Sequence, residues 1–264
     1  KNANGDIVGY GSGSTGSDSF NIWAESALTD DACYFTFNSR TTNGNLVDTS
    51  LIPGGYGIYC LPYSAGEPED GGTQMGELSM VYPLDPTVRQ VKLYTNPEQT
   101  KLLLLTLEDG KCVLTVIGID TMQPLQRLEL AEPGEDGGIW DVFNYGAFMA
   151  LSLSDNRLVV VSLTDEDEYV LSISTELTDP ENPLYYLRYD SVMAWYGGRL
   201  AVSNALMNDM DRNKTCGFYL AVYDKSGLLY YGEYASSLDA GAPDDYMYRC
   251  LPEDIAPLAL RWGT

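Results

Sequence analysis

Lys101–Leu130 reads KLLLLTLEDGKCVLTVIGIDTMQPLQRLEL, and Ala147–Leu177 reads AFMALSLSDNRLVVVSLTDEDEYVLSISTEL. Set one above the other, both run strand, tight Asp-Gly or Asp-Asn turn, strand, Asp-led turn, strand. The runs are short, apolar and rich in residues that suit a pleated surface, and they are bounded by Asp, Asn and Gly, which tolerate tight-turn backbone. Asp109 falls opposite Asp155, and Asp120 opposite Asp165. The offset is about 45 residues, the length of one four-stranded propeller blade. One more extended segment precedes each triplet, VRQVKLYTN from Val88 and GIWDVFNYG from Gly138, and supplies a fourth, innermost strand.

The same unit recurs on both sides. Tyr185–Tyr234 holds YYLRYDSVMAWYGGRLAVSNALMN and GFYLAVYDKSGLLYYGEY, with an insertion, Asn208–Gly217, between its second and third strands. Phe20–Asp85 holds FNIWAESALTDDACYFTFNS, GGYGIYCLPY and GELSMVYPLD, separated by two long loops. Several runs are apolar on both faces, as strands covered by two layers are. The expected boundaries are blades at 20–85, 88–131, 138–178 and 184–235, with 236–264 as a closing segment. Residues 1–19 are then a flexible or closing segment. Both ends together amount to about one more blade on this period, so the chain is expected to be a five-bladed ring or part of a larger one. The similar stretches EPEDGG at Glu67 and EPGEDGG at Glu132 miss the period and are turn chemistry used twice.

This pattern resembles the β-propeller superfamily, in particular the degenerate repeats of its quinoprotein-like and YVTN-like members. It has no G-H…W-D pair, no kelch double glycine and no Asp box. The resemblance therefore implies an all-β fold of four-stranded antiparallel blades and carries over no catalytic residue. An irregular β-sandwich is the alternative arrangement of the same strands.

Composition narrows the function. Lys plus Arg number 15 against 38 Asp plus Glu, a formal charge of -23, so the field of the protein repels phosphate backbones and anionic headgroups. Nucleic acid is excluded as a partner on that ground. The chain has no histidine, which removes Ser-His-Asp and Cys-His catalysis and His-ligated zinc. Its five cysteines, Cys33, Cys60, Cys112, Cys216 and Cys250, form no C-x-x-C motif. Most sit in or beside apolar strand-like runs, where a free cysteine behaves as a small buried hydrophobe; Cys33 and Cys60 fall in neighbouring strands and are the first pair to test for a bridge. There is no apolar run of about 18 residues, so no transmembrane segment is expected. The Gly- and Ser-rich start reads as a tether. It fits an extracytoplasmic protein, secreted or lipid-anchored at a bacterial surface.

Four sets of residues could carry chemistry. Asp209, Asp211 and Asn213 alternate in NDMDRNKTCG, as oxygen ligands do in a loop that curls around a hard cation. Lys214 and Leu220 stand where an EF-hand needs Gly and Glu, so only a looser site is open. Calcium is the one cofactor for which the chain offers ligands; otherwise none is expected. TDEDEY, Thr164–Tyr169, is a charged hairpin tip, and such tips serve solubility. Tyrosine is abundant, with 20 copies, and crowds into PLYYLRYDSVMAWYGG and LLYYGEY. Tyr185, Tyr186, Tyr189, Trp195 and Tyr196 are the expected ligand-binding set, since aromatic rings stack on sugars and peptides. Trp23, Trp140 and Trp262 are explained by packing. Five-bladed glycosidases, within the family resembled, use three carboxylates at the ring centre, and Glu25, Asp141 and Asp190 are the corresponding inner-strand acids.

The leading expectation is a non-catalytic propeller that binds a protein or glycan through its loops and a Tyr-rich face. A carboxylate-dependent glycoside hydrolase and a structural or assembly module are the alternatives.

Overall fold

The computed structural model describes residues 24–40, 46–47, 49, 54–65, 73–89, 91–133, 138–165, 167–177, 191–208, 211–235 and 261–262. These form strands and no helix. In chain order the strands are β1 (Ala24–Leu28), β2 (Ala32–Phe37), β3 (Gly57–Ala65), β4 (Thr73–Met75), β5 (Ser79–Pro83), β6 (Val91–Thr95), β7 (Lys101–Glu108), β8 (Lys111–Gly118) and β9 (Gln123–Ala131). There follow β10 (Ile139–Asn144), β11 (Phe148–Leu153), β12 (Arg157–Ser162), β13 (Val170–Glu176), β14 (Val192–Tyr196), β15 (Arg199–Asn208), β16 (Asp211–Asp224) and β17 (Gly227–Ala235).

All but one of the ladders join neighbours in sequence, giving sheets ordered β6-β7-β8-β9, β10-β11-β12-β13 and β14-β15-β16-β17. The first sheet is β1-β2-β3, and β3 takes two partners along its length, β5 at Gly57–Cys60 and β4 at Tyr63–Ala65. Every ladder is antiparallel. Four consecutive meanders are β-propeller blades. A sandwich, in which strands switch between layers, does not produce this order. Most of the residues expected to close a fifth blade, 1–19 and 236–260, lie outside the described residues. The chain divides into two compact units, Lys1–Gly138 and Ile139–Thr264, each holding two sheets.

Turn chemistry explains where the hairpins close. Glu108 pairs with Lys111, and between them Asp109 and Gly110 have φ of 48° and 79°, as a two-residue type I′ turn requires. The equivalent turn in the next blade has three residues. Asn156 takes the left-handed conformation at φ 62° and donates its N–H to Leu153 O at 3.0 Å. Asp155 instead accepts the Arg157 N–H at 3.2 Å. The two aspartates aligned by sequence thus do different work.

In the first unit the core gathers Tyr34, Phe37, Tyr56, Ile58 and Tyr59 of the first sheet against Leu93, Leu102, Leu104 and Ile117 of the second. In the second unit, Phe148, Ala150, Leu158, Val160 and Ile173 pack on Met193, Leu200, Val202, Tyr219, Ala221 and Tyr223. The other faces of the middle strands are buried too. Leu103, Leu105, Leu107, Cys112, Leu114 and Val116 are all at most 2% exposed, in agreement with runs apolar on both faces.

The candidate Cys33–Cys60 bridge is absent, and one expectation about a loop needs correction. Cys33 and Cys60 are both free thiols. Cys60 lies opposite Tyr34, and Cys33 opposite Leu61, so the strand's two-residue period points the two cysteines to opposite faces. The described residues of Asn208–Gly217, expected to be an inserted loop, belong to the paired strands of a long hairpin. Asn208 pairs with Asp211 and Met207 with Thr215, with register shifts on either side of Met207.

Candidate functional site

Glu25 lies on β1, opposite Thr36. Its Oε1 accepts a hydrogen bond from Lys92 Nζ of β6 at 2.7 Å. The innermost strands of the first two sheets are side by side here. Thr95 Oγ1 donates to Leu28 O at 3.4 Å, while Asp30 N–H donates to Gln99 Oε1 at 2.6 Å. One Glu25 oxygen is therefore committed to an ion pair that joins two blades. Asp141 lies on β10, directly after a bulge. Ile139 faces Leu153 and Asp141 faces Ser152, so Trp140 is the extra residue, and it is 55% exposed. Bulges re-aim side chains in this way. Asp190 lies outside the described residues. Glu25 belongs to the first unit and Asp141 to the second.

Of the residues proposed for calcium, Asp209 lies outside the described residues. Asp211 and Asn213 are on the extended backbone of β16 rather than on a curling loop. Among the described residues no three acidic or cysteine side chains are grouped as metal ligands. At the TDEDEY tip, Asp165 accepts the Asp167 N–H at 3.0 Å, a local turn contact.

Tyr185, Tyr186 and Tyr189 lie outside the described residues. Trp195 and Tyr196 are placed on opposite faces of the fourth sheet, because they are consecutive residues of β14. Trp195 is half-buried and packs with Met193 on the side of the third sheet. Its ring stacks on Phe148 at 6.0 Å and 27°, and Phe148 stacks on Tyr145 at 4.9 Å and 14°. The Tyr145 hydroxyl donates to Ser191 O at 3.4 Å, and burial holds that phenol above its ordinary value.

Tyr196 faces the other way and is 69% exposed. The Trp262 ring lies beside it, 6.4 Å away and tilted by 36°. Following the pairing outward from Tyr196 shows what else shares its face. Ala194 lies opposite Ala201, and Ala201 opposite Val222. Val222 lies opposite Tyr230, Leu220 opposite Gly232, and Phe218 opposite Tyr234. One face of one sheet thus carries Tyr196 on its innermost strand, small residues across the middle, and Phe218, Tyr230 and Tyr234 on its outer strands.

Tyr230 and Tyr234 are 45% and 42% exposed, and their hydroxyls share a hydrogen bond of 2.7 Å. That bond, followed by burial, holds the Tyr230 phenol above its ordinary value. Tyr231, on the opposite face, stacks on Tyr219 at 6.0 Å and donates its hydroxyl to Glu233 Oε1 at 2.7 Å. The tyrosines of LLYYGEY lie outside the expected ligand-binding set. The usable signal was the alternation Tyr230-x-Gly232-x-Tyr234, which puts two rings on one strand face with a gap between them.

No protein family description matches the chain, and no curated protein does. Similar solved structures include the β-propeller domain of Cps50 (Swd1) from Myceliophteria thermophila, 13% identical over 83% of this chain and 76% of that one, with a TM-score of 0.38. The periplasmic gluconolactonase PpgL of Pseudomonas aeruginosa is 11% identical over 81% of this chain and 58% of its own, with a TM-score of 0.36. A chain of a mitotic checkpoint complex is 7% identical over 79% of this chain, with a TM-score of 0.37. This chain spans about half the length of the first two structures it matches, 48% and 55%. The blade assignment rests on the sheets themselves.

Proposed function

We propose that this protein is a non-catalytic, extracytoplasmic β-propeller whose loops and Tyr-rich face bind a protein or a glycan. The observation that carries the reading is the fourth sheet's exposed aromatic face, with Tyr196 beside Trp262 on the inner strand and Tyr230 beside Tyr234 on the outermost one. Large rings that keep much of their surface in water, yet are held by neighbours, lose little freedom on binding, and that favours recognition. Fold alone does not assign such a role; the placement of these rings does the arguing. The acidic surface adds a preference against anionic partners.

The test is a binding screen of the whole chain against arrayed extracellular proteins and oligosaccharides, run beside a hydrolysis assay. Tyr196→Ala and Tyr234→Ala are expected to weaken whatever binds, while Glu25→Gln with Asp141→Asn leaves binding intact. Hydrolysis of an oligosaccharide that is lost in the carboxylate variants overturns the reading. So does a chain that binds nothing on either array.

A further inference from the structure

β17 pairs with β16 without a shift from Tyr230 to Tyr234, so Tyr230, Gly232 and Tyr234 project from one face in a row. Gly232 shows how the first ring lies. A Cβ built there collides with the Tyr230 hydroxyl oxygen and meets its Cζ at 3.0 Å. The Tyr230 side chain is thus laid down along the strand, over the glycine, toward Tyr234. The two hydroxyls meet at 2.7 Å. Tyr234 is backed by Phe218, stacked at 5.0 Å and 15°. Neither tyrosine stands off into water as an isolated side chain. Together they form a fixed platform with part of each ring open.

The chemistry of the platform selects a ligand class. Two hydroxyls that share one hydrogen bond still have one O–H to donate and several lone pairs to accept with. The surface is therefore polar at its centre, where the hydroxyl pair lies over Gly232, and aromatic on either side, so the C–H faces of sugar rings can stack on the tyrosines while their hydroxyls reach the pair. The three platform residues themselves carry no charge. Glu233 belongs to the opposite face and accepts the Tyr231 hydroxyl, and Asp224, which shares the platform's face beyond Val222, is engaged at the hairpin turn, where it accepts the Ser226 N–H and hydroxyl at 2.7 and 2.5 Å. With a chain charge of -23, an acidic glycan is repelled and a cationic one finds no carboxylate on the platform.

We propose that Tyr230, Gly232 and Tyr234, backed by Phe218, form a binding site for a neutral oligosaccharide, with a sugar ring stacked on the tyrosines and hydrogen-bonded to their hydroxyl pair. This rests on the binding-module reading and narrows it to one strand and one ligand class. Gly232 keeps the floor low enough for the Tyr230 ring to lie flat.

The test is calorimetric titration of the whole chain with cellohexaose, maltohexaose and xylohexaose, with an oligogalacturonate as the anionic control. At least one neutral hexamer binds and the oligogalacturonate does not. Tyr230→Ala and Tyr234→Ala each weaken binding about tenfold or more, and Tyr230→Phe, which keeps the ring, weakens it only a fewfold. Gly232→Ala displaces the Tyr230 ring and weakens binding, while Glu233→Gln on the other face leaves it unchanged. Melting curves of all variants separate lost binding from lost folding, and Tyr230→Phe tests the hydroxyl pair with the packing preserved. Neutral-glycan binding that survives both alanine variants overturns this site and leaves the binding-module reading standing. No binding of any hexamer also overturns it, and the protein array described above then decides the broader reading on its own.

Discussion

Cys33 and Cys60 show how much depends on a single residue of register. They stand in paired strands, close enough in sequence logic to invite a disulfide, yet Cys60 faces Tyr34 and both thiols are free. Residue type was legible at turns, where Asp109 and Gly110 could be placed from chemistry alone. Which face a strand residue takes was not, because the one-residue offset that decides it comes from pairing with a distant strand. The same limit hid the Tyr230–Tyr234 pair, whose two rings meet only because Gly232 lies between them. Buried ionisable groups give a prediction at this scale. Burial pushes the Cys112 thiol up from 9.0 to about 12 and the Tyr56 phenol up from 10.0 to about 12. Both groups are protonated in folded and unfolded chains at neutral pH. As pH rises past their ordinary values the unfolded chain loses protons that the folded chain keeps, so stability falls through that window and the contribution is gone above about 12. Melting temperature measured from pH 8 to 12 is expected to hold at first and then drop progressively, in reversible unfolding; a flat profile contradicts the burial assigned to these groups.

At the scale of the element, strands with an apolar signature were found where the alternation and turn residues placed them. The middle strands are the clearest case, since β7 and β8 are buried on both faces along almost their whole length. Two elements escaped. Thr73–Met75 is too short to carry a pattern of its own and is a strand because the long β3 has spare ladder positions opposite it. The polar start of β16 reads as a loop and is held extended by pairing with the end of β15. In both, neighbours override intrinsic preference. The burial difference between strands sets a mutational contrast. Leu105→Ala, at a fully buried position of β7, is expected to cost about 2–5 kcal/mol in urea denaturation. Leu125→Ala, on the outermost β9 at 58% exposure, is expected to change stability by less than about 0.5 kcal/mol. Similar costs at the two sites contradict the assignment of β7 as a middle strand and β9 as an outer one.

For the whole molecule, blade repetition was legible because the two middle blades repeat one strand order about 45 residues apart, and the flanking sheets carry the same order with longer connections. The expected ligand-binding aromatics separate in the structure. Tyr196 is exposed, whereas its neighbour Trp195 is drawn into packing against the third sheet. The inner-strand carboxylates were equally visible as a set, whereas the ion pair of Glu25 with Lys92 was not, since it depends on two innermost strands meeting side by side. Two faces of function are thereby set against each other: rings on the fourth sheet and acids on the innermost strands. Amide hydrogen exchange of the whole chain, with and without saturating neutral hexasaccharide, separates them directly. The account predicts added protection in β16 and β17, centred on Tyr230–Tyr234, with the innermost strands β1 and β10 unchanged. Protection centred on Glu25 and Asp141, or no protection anywhere with any of the three hexamers, contradicts it.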